Sequence, residues 1–325
     1  MIKLARIVEA KGRRFLLRVE DSPDDRDYRK YDDIREDIWC FPEDHLAGTR
    51  NLVCENFLHE GTSLFIGAFA EESGDFPLDF EHLAGFSYGF VGIRDKDRGF
   101  RDPRNLRFYS QYAGVKRAFR SFSLGFLIKE FQRDVLLDGL GIEEVICTFD
   151  PLTGVNAYRN IHHFGMTVQE YRAAVYPEFG GKLNRSDVPS DRFLMSWDLR
   201  RTASPPALEI VPLLDDAHKV ARVGKRALPA GAPDPAVEVV LGIRKDLDAP
   251  RLLVQIPRDF YRLLNVTDVD DPEIRRIPLD WRMATREAFL TLMDRGYRIA
   301  DFQQSRDRED FYILIKDGAG GAEAL

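Results

Sequence analysis

From Arg107 to Gly165 the chain reads as a strand, a turn, a one-sided helix, a second strand and a second helix, an order that puts backbone N–H groups and a helix N-terminus beside a pair of strands. The turn closes on Arg120-Ser-Phe-Ser-Leu-Gly125. Leu124, Leu127, Ile128, Phe131 and Val135 then recur at the spacing of one helical face, while Lys129, Glu130, Arg133 and Asp134 fill the other. Gly139 is the expected stop of this helix. Glu144-Val-Ile-Cys-Thr-Phe149 follows as a strand, and a helix over 153–163, opening at Asp150-Pro-Leu-Thr-Gly-Val-Asn156-Ala, is closed by Gly165.

Backbone N–H groups at the mouth of an apolar helix can converge on one anion, helped by the helix dipole. In Lys116-Arg-Ala-Phe-Arg-Ser-Phe-Ser-Leu-Gly125 the charge would come mainly from backbone, with Lys116, Arg117 and Arg120 in support. A surface turn with a basic face is the plainer alternative.

The flanks supply further elements. Phe15 to Val19 reads as a strand, Tyr28 to Trp39 as a helix, and Leu46 to His59 as a helix ending at Gly61. Ser63 to Phe69 and Ala84 to Val91 read as neighbouring strands, with a charged hairpin loop at Asp95 to Pro103. Pro-rich stretches at 202–207 and 228–235 mark a boundary near residue 203 and a loop beyond it, giving domains 1–203 and 204–325. The second contains strands Val237 to Ile243 and Leu252 to Ile256, a helix from Trp281 to Asp294, Gly296, and a hairpin over Tyr297 to Phe302 and Phe311 to Lys316. That ending resembles the end of the first domain, so a degenerate internal repeat is one reading, although no phosphate-cradling turn recurs there.

At 325 residues and 44% hydrophobic content the chain can give both domains a core. The net charge of -7, with 47 basic and 54 acidic residues interspersed, argues against nucleic acid as a partner. Cys40, Cys54 and Cys147 show no paired spacing, so we expect reduced, mostly buried thiols and no metal site. No window is long and apolar enough for a signal peptide or membrane span, which makes a cytoplasmic location the expectation.

Arg120, Ser123 and Gly125 fall on the positions of a Gln/Arg-x-x-Gly-x-Gly/Ala motif, and on these residues the chain resembles the GNAT superfamily of acyl-CoA-dependent N-acyltransferases. It is more similar to one uncharacterised bacterial branch, through Tyr109-Ser110, Asp150-Pro151-Leu152 with Asn156-Ala157, Leu183-Asn184, and Pro189-Ser-Asp-Arg-Phe193 with Trp197. The resemblance covers roughly residues 28 to 200. It implies an α+β fold: a mixed, mostly antiparallel sheet splayed between its fourth and fifth strands and flanked by helices, followed here by a smaller α+β C-terminal domain.

By the same resemblance, acetyl-CoA or another acyl-CoA is the co-substrate and no metal is used. Its pyrophosphate would rest on the amides of Ser121, Ser123, Leu124 and Gly125 beside Arg117 and Arg120. Its pantetheine arm would pair with backbone at Gly114 and Val115, an N–H near Ala113 to Val115 would polarise the thioester carbonyl, and Asn156 would contact CoA. The chain departs from the superfamily in Ser123 for a glycine, Arg117 for a common proline, and Ile161 for a tyrosine that protonates the leaving thiolate.

For proton transfer the candidates are Tyr109 and Tyr112 on the fourth strand, whose facing depends on alternation or a bulge, and Asp191 or Glu178 in and around the polar segment Tyr176 to Arg192, which could anchor or deprotonate an acceptor ammonium. His162 and His163 lie in a last helical turn, where histidines often cap carbonyls. Asn156 has a bland reading as a brace for the Asp150-Pro151 turn. The expected activity is acyl transfer to a small-molecule amine by direct attack. The alternative is a catalytically inactive ligand-binding or interaction module of the same fold. Quaternary state is left open, a homo-oligomer included.

Overall fold

The computed structural model describes residues 4–39, 52–176, 181, 183–201, 208–229 and 231–318. Cys40, Glu178, the Pro-rich 202–207 stretch and the first half of the helix expected from Leu46 lie outside these residues. The chain divides into two compact units, Met1–Cys147 with Asp198–Thr202, and Thr148–Trp197 with Ala203–Leu325.

In the first unit the strands and helices are β1 (Ala5–Ala10), β2 (Arg13–Val19), α1 (Arg29–Trp39), α2 (Leu52–Glu55), β3 (Ser63–Ala70), β4 (Leu83–Ile93), β5 (Leu106–Val115), α3 (Leu124–Asp134) and β6 (Glu144–Phe149), of which Thr148 and Phe149 count with the second unit. Strands β1 to β5 pair in sequence order, each antiparallel to the next. β6 joins β5 in parallel over only Phe108↔Val145 and Tyr109↔Ile146, although β5 continues to Val115. This is the mixed, mostly antiparallel sheet that the resemblance implies, with the short parallel pairing between the fifth and sixth strands rather than between the fourth and fifth, because β1 adds a strand at the start.

Every residue of β3 is buried because helices cover both sheet faces. Tyr31 and Trp39 of α1 pack on Phe86 of β4, and Gln132 of α3 reaches Ser87, the next residue and hence the opposite face. Burial of α3 is wider than its apolar stripe. Lys129, expected on the polar face, is only 3% exposed, and Gln132 is fully buried. The stop is also displaced: Val135–Gly139 forms a π turn, and Gly141, at φ 66°, ends the run in place of Gly139. Cys147 is buried as expected, whereas Cys54 is exposed.

The second unit begins with α4 (Gly154–Ala157), which continues as a π turn over Tyr158–His163 where a regular helix was expected. Gly165, at φ 62°, closes it, and the hairpin β7 (Thr167–Tyr176) and β8 (Ser190–Asp198) follows. Alternation in β7 is too polar to have announced a strand, as its mostly exposed residues show. Next come β9 (Ala221–Ala227), β10 (Ala236–Ile243), β11 (Arg251–Ile256), α5 (Phe260–Val266), α6 (Pro272–Arg275), α7 (Ile277–Asp294), β12 (Tyr297–Gln304) and β13 (Asp310–Lys316). β9 and β10 form a hairpin, and β13 lies between β11 and β12 in an antiparallel sheet.

An aromatic cluster centres this unit: Phe193 of β8, Phe289 of α7 and Tyr312 of β13 meet edge to face with centroids 5.0 to 5.6 Å apart. A satellite cluster gathers Ile210, Leu213, Leu253, Phe311 and Ile313. The order helix, left-handed glycine, strand, hairpin strand occurs at Gly165 with β7 and β8 and again at Gly296 with β12 and β13. No helix among the described residues is long and apolar enough to cross a membrane.

Candidate functional site

In the first unit the candidate residues gather along β5 and the turn that follows it. Tyr88 pairs with Tyr112 and Gly89 with Ser110, so Gln111 is an extra residue in β5, a bulge. Its consequence is geometric. Tyr109 opposes Phe90 and Tyr112 opposes Tyr88, and because Tyr88 and Phe90 share a face of β4, the bulge brings both tyrosines to one side of the sheet. Tyr112 is flanked by Trp39 at 5.7 Å and by the Arg35 guanidinium 5.7 Å over its ring.

Pairing with β6 ends at Tyr109, immediately before the bulge. Among the described residues, β5 is registered with β4 from Ser110 to Val115, and its pairing with β6 stops short of this stretch. A strand edge presents alternate N–H and C=O groups to an extended, amide-bearing ligand. Gly114 has a packing reason for its missing side chain: a Cβ there would lie 2.6 Å from the Trp39 ring and 2.8 Å from Ile38.

Beyond Val115, Lys116 turns its ammonium to the Phe80 carbonyl and over the Phe80 ring, and burial pushes its pKa down. It is thereby committed within the fold. Arg117–Phe122 forms a short 3-10 turn, anchored because Phe119 and Phe122 pack on Phe15 of β2 at 6.1 and 5.5 Å. With those rings turned inward, Arg117, Arg120, Ser121 and Ser123 are exposed.

Ser123 sits in the left-handed region, at φ 58° and ψ 20°, and its carbonyl accepts from Phe126 N at 3.0 Å. A position with that φ favours glycine, so the serine here is held in a strained conformation. The N–H groups of Leu124 and Gly125 precede the first intrahelical bond of α3 and so have no acceptor in the helix.

The remaining candidates lie in the second unit. Asn156 is bonded within its own helix: its amide donates to Thr153 Oγ1 at 3.1 Å and its carbonyl accepts from Arg159 at 2.8 Å. Ile161 is buried. Asp191, also buried, has both oxygens engaged: Oδ1 accepts from Ala174 N and Arg286, Oδ2 from the Tyr171 hydroxyl and Arg286 Nε. Burial would raise its pKa, but these hydrogen bonds outweigh it and hold the carboxyl below the ordinary range. In this arrangement Asp191 is a structural anchor and a poor proton acceptor.

Sequence reasoning missed the partners that fix this region. Arg282 of α7, fully buried, forks onto both oxygens of Asp150. The Tyr312 hydroxyl donates to the Pro151 carbonyl at 2.7 Å, and Gly154 leaves no room for a Cβ, which would lie 2.3 Å from Asp310 Oδ2. Burial raises the Asp310 carboxyl to about 6. His162 Nδ1 lies 2.9 Å from the buried carboxylate of Asp301 on β12. These pairs join residues more than a hundred positions apart, so no local pattern could disclose them; the one signal was that Trp281-Arg-Met-Ala-Thr-Arg286 repeats arginine at the four-residue spacing of one helix face.

No protein-family model and no curated protein sequence matches the chain. Solved structures with a similar fold include the ribosomal-protein-S18-alanine N-acetyltransferase of Escherichia coli, 12% identical, covering 59% of this chain and 99% of that one with a TM-score of 0.38. The ribosomal-protein-S5-alanine acetyltransferase of Vibrio fischeri is 12% identical, with coverage of 62% and 100% and a TM-score of 0.43. An acetyltransferase of the GNAT family from Streptococcus pneumoniae is 12% identical, with coverage of 55% and 97% and a TM-score of 0.38. These are likenesses of chain course over little more than half of this protein, and they say nothing of its substrate.

Proposed function

We propose that the protein is an acyl-CoA-dependent N-acyltransferase that moves an acetyl or other short acyl group to a small-molecule amine, such as an amino acid, by direct attack. The observation that carries this reading is the continuity of three features in one stretch: a bulged strand whose pairing with β6 stops before the bulge, a left-handed residue, and a helix N-terminus with uncommitted amides. The strand beyond that pairing suits a pantetheine arm at Gly114 and Val115. The amides of Leu124 and Gly125, beside Arg117 and Arg120, suit a pyrophosphate, which those of Ser121 and Ser123 would join only by giving up bonds of the 3-10 turn.

In this reading the thioester carbonyl lies against an N–H near Ala113 to Val115. Stabilising its developing oxyanion is worth ~3 kcal/mol per donor, so backbone placement outweighs any one side chain. The amine nitrogen attacks the thioester carbon, the C–S bond breaks, and CoA leaves as thiolate. Ile161 has no proton to give; Tyr109 or Tyr112, brought to one face by the bulge, or water would supply it. Asn156 would touch CoA only by giving up a bond to Thr153 or Arg159, and Asp191 would position β7 and β8 without taking a proton.

A second reading, a catalytically inactive binding module, is favoured by the strained Ser123 and by Ile161. Free-thiol release from acetyl-CoA and succinyl-CoA, followed with and without a panel of amines, separates the two. Amine-dependent release supports transfer. Binding without release under every amine supports the module, and release without amine would make the protein a thioester hydrolase.

A further inference from the structure

The arginines of the first hairpin differ in their partners. Arg6 of β1 pairs with Asp134, and Arg14 and Arg18 of β2 pair with Glu71 and Asp21, whereas Arg13 makes no ion pair among the described residues. The chain before it fixes its place. Ala10 opposes Arg13 across the two-residue turn Lys11-Gly12, where φ values of 51° and 73° suit a tight hairpin, so Arg13 opens β2. Alternation puts its side chain on the face of Phe15. There its guanidinium lies 4.8 Å over the Phe119 ring, with the Phe15 and Phe122 rings at 5.9 and 6.0 Å, and the residue is still exposed.

This contact brings a residue of the first hairpin to the turn before α3, within the same compact unit. In a 3-10 turn residues three apart lie one above the other, so Phe119 and Phe122 face Phe15 together while Arg117 and Arg120 share another side. Arg117 and Arg120 are exposed, and neither makes an ion pair among the described residues. Three guanidiniums without a carboxylate partner therefore border one short turn, in a chain whose net charge is -7. A guanidinium keeps its charge, and its planar fork of donors matches the oxygens of a phosphate. Stacking on Phe119 orients that fork without using its N–H groups.

The course of the turn adds a direction. β4 and β3 separate β5 from β2, three strand spacings or ~14 Å, so the segment from Lys116 to Phe122 carries the chain from the end of β5 across the sheet to β2. A CoA whose pantetheine lies along Gly114 and Val115 and whose pyrophosphate lies at Leu124 and Gly125 has its ribose 3′-phosphate beyond the pyrophosphate, away from the thioester. Arg13, beside the Phe122 ring two residues before Leu124, stands at that end.

We propose that Arg13 binds the 3′-phosphate of the acyl-CoA donor, with Arg117 and Arg120 completing a basic rim, so that the protein selects CoA thioesters over their 3′-dephospho forms. The inference rests on the acyl-CoA reading and adds to it a residue from outside the turn. Arg13 holds the donor by its nucleotide end and touches none of the reacting atoms.

The test is calorimetric titration of the full chain, of Arg13→Gln and of Arg13→Lys with CoA and with 3′-dephospho-CoA. The wild type should bind CoA about 10-fold or more tightly than dephospho-CoA, the worth of one hydrogen bond between charged groups. Arg13→Gln should bring the two affinities together, and Arg13→Lys, which keeps the charge without the planar fork, should retain part of the preference. If the wild type binds both ligands equally, or if Arg13→Gln keeps the preference, this proposal is overturned and acyl-CoA binding stands. If the wild type binds neither ligand, the acyl-CoA reading fails and this proposal with it.

Discussion

Ser123 concentrates the conflict between local backbone and chemistry. Its left-handed φ of 58° costs an L-residue free energy that glycine avoids, so Ser123→Gly should raise stability by about 1 kcal/mol, read as a higher unfolding temperature. If the pyrophosphate rests on the neighbouring amides, the same change should also tighten CoA binding; a lower unfolding temperature would show that the hydroxyl makes up for the strain. The departure from glycine was visible in the sequence, but its conformational meaning was not. Asp191 shows the opposite limit. Its carboxyl could be named as a candidate, yet its occupancy depends on Arg286 and Tyr171, which approach only in the fold.

Asp310 gives a second prediction at this scale. Its folded pKa of about 6 lies above the unfolded value of 3.8, so its contribution to stability is fully present below the unfolded value and is lost as pH rises through the folded one. Between pH 4 and pH 7 the wild type should lose a component of stability that Asp310→Asn, which keeps a partner for Gln304, does not lose. Parallel stability profiles for the two proteins would contradict this.

Among elements, the turn before α4 is held by side chains from α7 and β13. Arg282 reaches Asp150 from α7 with neither side chain appreciably exposed, so Arg282→Ala leaves the carboxylate only the Leu152 N–H and the more distant Arg192 guanidinium and should cost about 3 kcal/mol in denaturant unfolding. Tyr312→Phe removes only the bond to the Pro151 carbonyl and should cost about 1 kcal/mol. Equal, negligible costs would mean the turn is held by packing alone. Elements with strong periodicity were legible: α1, β3, β4, α3, β6, α7, β12 and β13 all lie where the pattern places them. β1 and β7 were not, because their half-exposed or exposed residues alternate too weakly to stand out from loop. The π turns after α3 and α4 were illegible as well, since an inserted residue in a helix leaves its apolar spacing nearly intact.

For the molecule as a whole, the first unit carries the bulged strand β5 and the turn at Arg117–Phe122 that leads into α3, and the second carries the Arg282–Asp150, Arg286–Asp191 and His162–Asp301 pairs. The turn-to-helix stretch was legible because it is local. The partners of Asp150, Asp191 and His162 were not, because they reach these residues from distant strands or helices. Everything proposed about chemistry requires that CoA bind at the start of α3, and calorimetric titration of the full chain with CoA and acetyl-CoA, beside Gly125→Val, addresses that directly. The expected result is micromolar binding by the wild type and its loss in the variant at an unchanged unfolding temperature; no binding by the wild type, or equal affinity in the two proteins, would contradict it.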